Sequence, residues 1–140
     1  MINFNVETEG FKVLDIRKKK SWLKELIKEQ GFKLGELNYI FLDDEGLHKI
    51  NLEYLNHNTY TDIITFDNSD EEDMIEGDIF VSIERITENA NKFKVDFESE
   101  LIRVMAHGVL HLCGYLDKKP AEVKLMREME DKYIGKYGEL

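Results

Sequence analysis

The sequence predicts an α+β fold, in which helices pack against a small mixed β-sheet of about four strands within a single domain, residues 1–140. Three observations support this prediction. The composition, 42% hydrophobic and 34% charged residues, is typical of an ordinary globular domain. The strand-like segments all lie before residue 84, whereas the C-terminal part looks helical and does not alternate with strands. No stretch rich in proline, glycine or serine indicates a domain boundary.

Each element follows from local pattern. Short runs rich in β-branched, aromatic and aliphatic residues predict strands at residues 3–6, 36–42, 63–66 and 77–83. Apolar residues at helical spacing predict helices at residues 16–30, 43 or 44 to about 55, 84–93, 97–113 and 121 to about 136. The acidic segment 67–76 is predicted to be a solvated loop.

The net charge of −10 argues against non-specific attraction to nucleic acid, because phosphate binding usually leaves a basic footprint. A local basic patch is still present at residues 17–20, followed by Lys24 and Lys28. This patch is interpreted either as the solvated face of the first helix or as a surface that contacts RNA.

The chain is expected to be cytoplasmic and not membrane-bound. No apolar run approaches the roughly 18 to 20 residues that would span a bilayer, and the N-terminal residues lack the features of a signal peptide. The single cysteine, Cys113, cannot form an internal disulfide, which is compatible with a reducing compartment.

The helix predicted at residues 97–113 carries the most informative pattern. Its core stripe consists of Phe97, Leu101, Val104, Met105, Gly108 and Leu112. His107 and His111 fall on a different face, and their four-residue spacing lets two imidazoles bind one metal ion. Gly114 can end the helix in a left-handed turn, which would bring Asp117 toward the same ion. These residues predict a divalent-metal site formed by His107, His111 and Asp117.

Three protein ligands would leave a coordination position open, which is more typical of a catalytic site than of a structural one. Cys113 is the competing ligand, but it should point to another face and is interpreted as a small core residue. His48 and His57 are interpreted as structural or merely exposed residues, since a lone histidine rarely binds metal.

The spacing His-x3-His-x2-Gly-x2-Asp resembles the extended zinc motif of metzincin proteases, but Gly108 stands where those enzymes carry a general-base glutamate. The segment is more similar to the YbeY family of bacterial endoribonucleases, whose signature reads His-Gly-x-Leu-His-Leu-x-Gly-Tyr. The matching residues are His107, Gly108, Leu110, His111, Leu112, Gly114 and Tyr115.

The resemblance extends over about residues 36–132. Further matches in the family's order are Asn51, Tyr54, Thr61, Asp62, Phe66, Gly77, Asp78, Ile79, Met126 and Glu130. The resemblance implies a metal-dependent, single-strand-specific endoribonuclease that acts in maturation of the 3′ end of 16S ribosomal RNA and in ribosome quality control. Its partners would then be ribosomal RNA and the small ribosomal subunit.

Two residues depart from the family pattern. Asp117 replaces the family's usual third histidine; because a carboxylate is a harder ligand, we expect one zinc ion but keep manganese and iron as alternatives. Leu55 replaces an arginine expected to hold phosphate, so the cation would come from elsewhere, for example Arg85, Arg103 or the patch at residues 17–20.

In such an enzyme the ion would polarise a phosphate oxygen and activate water for attack at phosphorus, or the RNA 2′-hydroxyl would attack instead. Asp62 is the candidate catalytic residue, as a base or site organiser, although its Thr-Asp pair could equally serve only to form a turn. Two other functions stay open: a metallohydrolase of a peptide or another phosphoester, and a ribosome-associated binding module with a structural metal.

Overall fold

The computed structural model describes residues 1–57 and 59–140, and these residues form one four-stranded sheet and five α-helices. The strands are β1 (Ile2–Val6), β2 (Lys33–Leu42), β3 (Ile63–Asp67) and β4 (Met74–Ser82). The helices are α1 (Ile16–Glu29), α2 (Asp44–Leu55), α3 (Ile83–Phe93), α4 (Phe97–Leu112) and α5 (Pro120–Gly138). None of these helices, within the described ranges, is both long and apolar enough to cross a membrane.

The sheet is mixed, with the strand order β1-β2-β4-β3. β2 pairs in parallel with both β1 and β4, whereas β3 runs antiparallel to β4 at the edge. The predicted α+β class and the predicted number of strands are therefore confirmed.

The largest errors in the predicted strand boundaries are at the starts of β2 and β4. β2 and β4 each begin three residues earlier than the sequence indicated, because Lys33 pairs with Met74 and Leu34 with Ile75, ahead of an irregularity in the register. Residues 74–76, predicted as the end of the acidic loop, therefore belong to β4. At its other end β4 stops at Ser82, whose hydroxyl accepts a hydrogen bond from the Arg85 amide and so caps α3.

Helices cover both faces of the sheet. On one face α1 and α4 pack against the main core, which includes Leu37, Tyr39, Phe41, Ile79 and Val81 from the strands. On the other face α2 places Leu47 against Leu42 and Ile64 in a smaller cluster. The alternation of strand residues between two apolar clusters follows from the two-residue period of a β-strand.

The basic patch on α1 does not form one solvated face. Lys19 is fully buried, and its ammonium group donates to the Leu14 carbonyl at 2.6 Å and forms an ion pair with Glu98. Its neighbour Lys18 lies 4.2 Å from the ring centroid of Tyr137. Both interpretations of the patch must therefore omit Lys19, because its charge is satisfied inside the protein.

The approach of α4 to the sheet positions the site described below. A Cβ atom at Gly108 would lie 3.0 Å from methyl carbons of Ile63 and Ile79, so the helix backbone is as close to the strands as it can be. One turn earlier, the buried Tyr39 hydroxyl donates to the Met105 carbonyl at 2.7 Å. These contacts fix both the height and the rotation of α4 on the sheet.

Gly77 offers a test of how β3 is attached to β4. A Cβ atom there would lie 2.1 Å from the Phe66 carbonyl oxygen, which belongs to the paired strand and cannot move without breaking the ladder. We expect Gly77→Ala to lower the free energy of unfolding by about 2 kcal/mol. Chemical denaturation measures this change.

Gly135 in α5 is the matched control, because a Cβ there meets no atom within 4 Å. The same glycine-to-alanine change should raise stability by about 1 kcal/mol, through the higher helix propensity of alanine. Equal effects of the two substitutions would contradict this account of Gly77.

Candidate metal centre

His107 and His111 lie one turn apart on α4, on the flank of the helix beside the sheet-facing Gly108. Their ring centroids are 4.6 Å apart and the rings are nearly perpendicular, at 83°. Both side chains are only partly exposed. The four-residue spacing thus places two imidazoles side by side, as the sequence predicted.

The chain turns back immediately after α4. Gly114 adopts a φ of +104°, its amide donates to the His111 carbonyl, and the Tyr115 amide donates to the Leu110 carbonyl. This pair of hydrogen bonds is the Schellman motif, which glycine forms without steric cost. The Tyr115 hydroxyl then donates to Gln30 at 2.9 Å, which holds the turn against the end of α1.

Asp117 returns toward the two histidines. Its Oδ2 lies 3.3 Å from Nε2 of His107 and 3.2 Å from Nε2 of His111. Within residues 1–57 and 59–140 this is the single group of three potential ligands whose donor atoms all lie within 4.8 Å of one another. Two imidazole nitrogens and one carboxylate oxygen are a donor set suited to a divalent transition metal, and the group could hold such an ion.

Glu130 on α5 fixes the orientation of His107. Its Oε2 lies 2.6 Å from Nδ1 of His107. Because a carboxylate only accepts, His107 donates from Nδ1, and its Nε2 keeps the lone pair that a metal needs. Burial lowers the pKa of His107, but the hydrogen bond and charge of Glu130, aided by Asp117, raise that pKa above its ordinary value overall.

Glu130 itself is buried, and its charge is balanced by arginines. Its Oε1 accepts from Arg103 at 2.9 Å and lies 3.4 Å from Arg127. Arg103 also pairs with Asp131 at 2.7 Å. The carboxylate that supports His107 is therefore fixed in place by a network linking α4 to α5.

Asp62, the candidate catalytic residue, faces the same cavity as His107 and Asp117. Its backbone carbonyl accepts from the Ser82 amide at 3.0 Å. The segment before it is anchored by the buried side chain of Asn51, which donates to the Thr59 carbonyl at 2.9 Å. Burial raises the pKa of the Asp62 carboxyl, and the nearby His107 charge opposes this shift only in part.

The other candidate residues lie apart from the metal centre. Cys113 packs against the core, and burial raises the pKa of its thiol to about 12, so at neutral pH it offers no thiolate. His48 stacks on Tyr60 with 4.3 Å between ring centroids, and His57 is exposed. Arg85 is paired with Asp44 at 2.9 Å and lies outside the cavity.

The metzincin comparison fails at Gly108 for a structural reason. Position 108 points at Ile63 and Ile79 of the sheet rather than at the histidines. A glutamate there would collide with the core and could not reach the metal centre.

Sequence reasoning missed several residues that line this cavity, above all Glu100, Arg127 and Asn89. The spacing of Glu100 could have predicted its place in the cavity, because it lies seven residues before His107 and so shares the same face of α4. The sequence resemblance includes Glu130 but does not indicate its contact with His107. Its position between the buried Met126 and Tyr133 on α5 could have indicated a buried carboxylate.

The fold and the site together define a class: an α+β protein in which two histidines on a helix and one carboxylate beyond it form a candidate metal site. The family model of endoribonuclease YbeY matches residues 3–138. The chain belongs to this family.

The relatives support this assignment along the whole chain. A protein of Flavobacterium johnsoniae named endoribonuclease YbeY is 54% identical over 137 residues, 98% of this chain and 97% of that protein. One of Bacteroides thetaiotaomicron with the same name is 45% identical over 131 residues, 92% of this chain and 95% of that protein. The solution structure of TM1509 from Thermotoga maritima is also similar, at 32% identity and a TM-score of 0.71, covering 98% of this chain and 89% of that chain.

The contact between Glu130 and His107 predicts a loss of metal affinity in Glu130→Gln. The amide keeps the size of the side chain but removes the charge that supports His107, so we expect affinity for a divalent ion to fall about 10- to 100-fold. Competition with a chelating dye measures this affinity.

Glu128→Gln is the matched control, since this exposed carboxylate lies on α5 outside the cavity. Thermal unfolding in excess chelator shows whether the metal-free fold of each variant is intact. Equal metal affinity in wild type and a folded Glu130→Gln variant would contradict the role assigned to Glu130.

Proposed function

We propose that this chain is a metal-dependent endoribonuclease that cleaves single-stranded RNA in the maturation of ribosomal RNA, including the 3′ end of 16S RNA, and in ribosome quality control. The observation that carries the proposal is the convergence of His107, His111 and Asp117 in a member of the YbeY family. Its partners would be ribosomal RNA and the small ribosomal subunit, in the cytoplasm.

The three converging residues are proposed as the metal ligands. Zinc is the expected ion, with manganese and iron as alternatives because Asp117 contributes a hard oxygen donor. When bound, the ion supplies Lewis acidity for reaction at a phosphodiester. His107 and His111 would bind through Nε2, the atoms closest to Asp117.

Asp62 is proposed as the residue that accepts a proton from the attacking oxygen or orients it. Its carboxyl faces the cavity beside His107, and its raised pKa makes it a better base than an exposed aspartate. The Ser82 amide holds its backbone carbonyl, and Asn51 anchors the preceding segment at Thr59, so neither contact uses the Asp62 carboxyl oxygens.

The two other functions are less well supported. Peptide hydrolysis would need a base next to the first histidine, where Gly108 packs on the sheet. A purely structural metal usually has four protein ligands, whereas three converge here. The relatives described above are named endoribonucleases rather than peptidases or binding proteins.

The central experiment compares wild type with His111→Ala and Asp117→Ala in metal content and in cleavage of single-stranded RNA. Removing either ligand should lower the bound metal and reduce cleavage more than about 100-fold, since metal catalysis contributes several kcal/mol. Both side chains are partly exposed and lie outside the core, so the fold should persist. Elemental analysis of the wild type identifies the ion.

His57→Ala is the control, because it removes an exposed histidine outside the cavity. It should retain both metal and cleavage. Full cleavage by a folded, metal-free His111→Ala variant would contradict the proposal, as would cleavage of casein but not RNA by the wild type.

Arg127 is the best candidate to hold phosphate in place of the arginine that Leu55 replaces. It lines the cavity beside His107 and Asp117, and its side chain is 54% exposed. Arg103 lies deeper and is engaged by both Glu130 and Asp131. A half-exposed guanidinium whose one ion pair among the described residues is the 3.4 Å contact with Glu130 can pair with an incoming phosphate.

Replacing Arg127 with glutamine should therefore weaken RNA cleavage mainly through KM. Each phosphate contact to a single strand contributes about 0.7 to the slope of log affinity against log salt concentration. We expect kcat/KM to become less salt-dependent by about this amount in Arg127→Gln. Lys124→Gln, an exposed cation one turn earlier and outside the cavity, is the control. An unchanged salt slope in Arg127→Gln would exclude the contact.

A further inference from the structure

A cavity lies beside the candidate metal centre. It has a volume of about 330 Å³, and His107 and Asp117 are among the residues that line it. Asn89 and Phe93 of α3 and Val123 of α5 also line it. Its size lies within the range of pockets that hold a small planar ligand.

Glu100 lines this cavity and is only 5% exposed. In the part of the chain that the structure describes, no hydrogen bond or ion pair engages its carboxyl group. Burial and the neighbouring Asp62 raise the pKa of Glu100, although Arg103 and Arg127 oppose the shift. Its oxygens are not among the fully buried polar atoms that lack a partner, so they are accessible from the cavity, where a ligand can supply hydrogen-bond donors to them.

Phe93 gives the cavity an aromatic surface. Large apolar side chains are usually buried, but Phe93 is 50% exposed. Asn89 lies one turn before it on α3, so an amide and an aromatic ring share one side of the cavity. Aromatic side chains that stack on bases, combined with polar groups that read base edges, are how proteins recognise unpaired nucleotides.

We propose that this cavity is a subsite for one unpaired nucleobase next to the scissile phosphate, that it selects guanine, and that Glu100 reads the base. The inference rests on the proposed function, because it deepens the substrate of the same site. Guanine presents two adjacent donors, N1–H and the N2 amino group, to the two oxygens of one carboxylate. Uracil offers one donor flanked by two carbonyl oxygens, which a carboxylate repels.

A second metal ion between Asp62 and Glu100 is the competing occupant. Two carboxyl groups can bind such an ion. However, the guanidinium groups of Arg103 and Arg127 line the same cavity and act electrostatically on Glu100. Their positive charges repel a cation but are compatible with a nucleotide, whose phosphate is negative.

The test uses the metal-loaded protein and four single-stranded oligoribonucleotides that differ at one position, which carries guanine, inosine, adenine or uracil in an otherwise uracil-rich strand. We expect cleavage next to the variable position to be about tenfold more efficient for guanine than for uracil, as for a bidentate contact to one base. Inosine lacks the N2 amino group and should fall between them.

Glu100→Gln tests the residue itself. The amide offers one acceptor in place of two, so kcat/KM for the guanine strand should fall about tenfold while that for the uracil strand is unchanged. Glu128→Gln should behave as wild type on all four strands. If Glu100→Gln is unstable, the comparison of guanine with inosine on the wild type still tests the contact.

Equal cleavage of the four strands by the wild type would overturn this inference and leave the nuclease proposal intact. A uniform loss of activity in Glu100→Gln, together with loss of one of two bound ions, would overturn it in favour of the second metal. Cleavage of none of the strands by the metal-loaded wild type would instead overturn the proposed function on which the inference rests.

Discussion

The close contact between α4 and the sheet at Gly108 is the constraint on which the site depends. A helix that approaches the strands with no side chain at that position has one permitted rotation, with Gly108 facing Ile63 and Ile79. His107 and His111 then project to the side rather than into the core. A larger residue at position 108 would lift or turn the helix, and both imidazoles would move with it.

The second constraint is electrostatic and comes from Glu130. Burying a carboxylate is unfavourable unless its oxygens are fully engaged, and here Arg103 and His107 engage both of them. The same network joins α4 to α5, so the packing of two helices and the tautomer of one histidine are set together. The stability of the helix packing and the orientation of a candidate metal ligand are therefore linked through one side chain.

Structural features that depend on local sequence pattern could be predicted from the sequence alone. The helix that carries His107 and His111 follows from apolar periodicity, and the turn at Gly114 follows from the conformational freedom of glycine. The early starts of β2 and β4 could not be predicted, because they depend on pairing between residues about 40 positions apart. The burial of Lys19 beside Glu98 has the same origin, since the partner lies 79 residues away.

The charge distribution explains how a chain with a net charge of −10 can act on RNA. Four carboxyl groups and two guanidinium groups line the cavity. With all four carboxyl groups ionised and His107 neutral, the lining carries two more negative than positive charges. A divalent ion held by His107, His111 and Asp117 would offset this excess. Repulsion of phosphate by the rest of the surface is weakened beyond about 10 Å by salt. RNA binding at this site therefore depends on the charge of the ion as well as on its chemistry, and no extended basic surface is required.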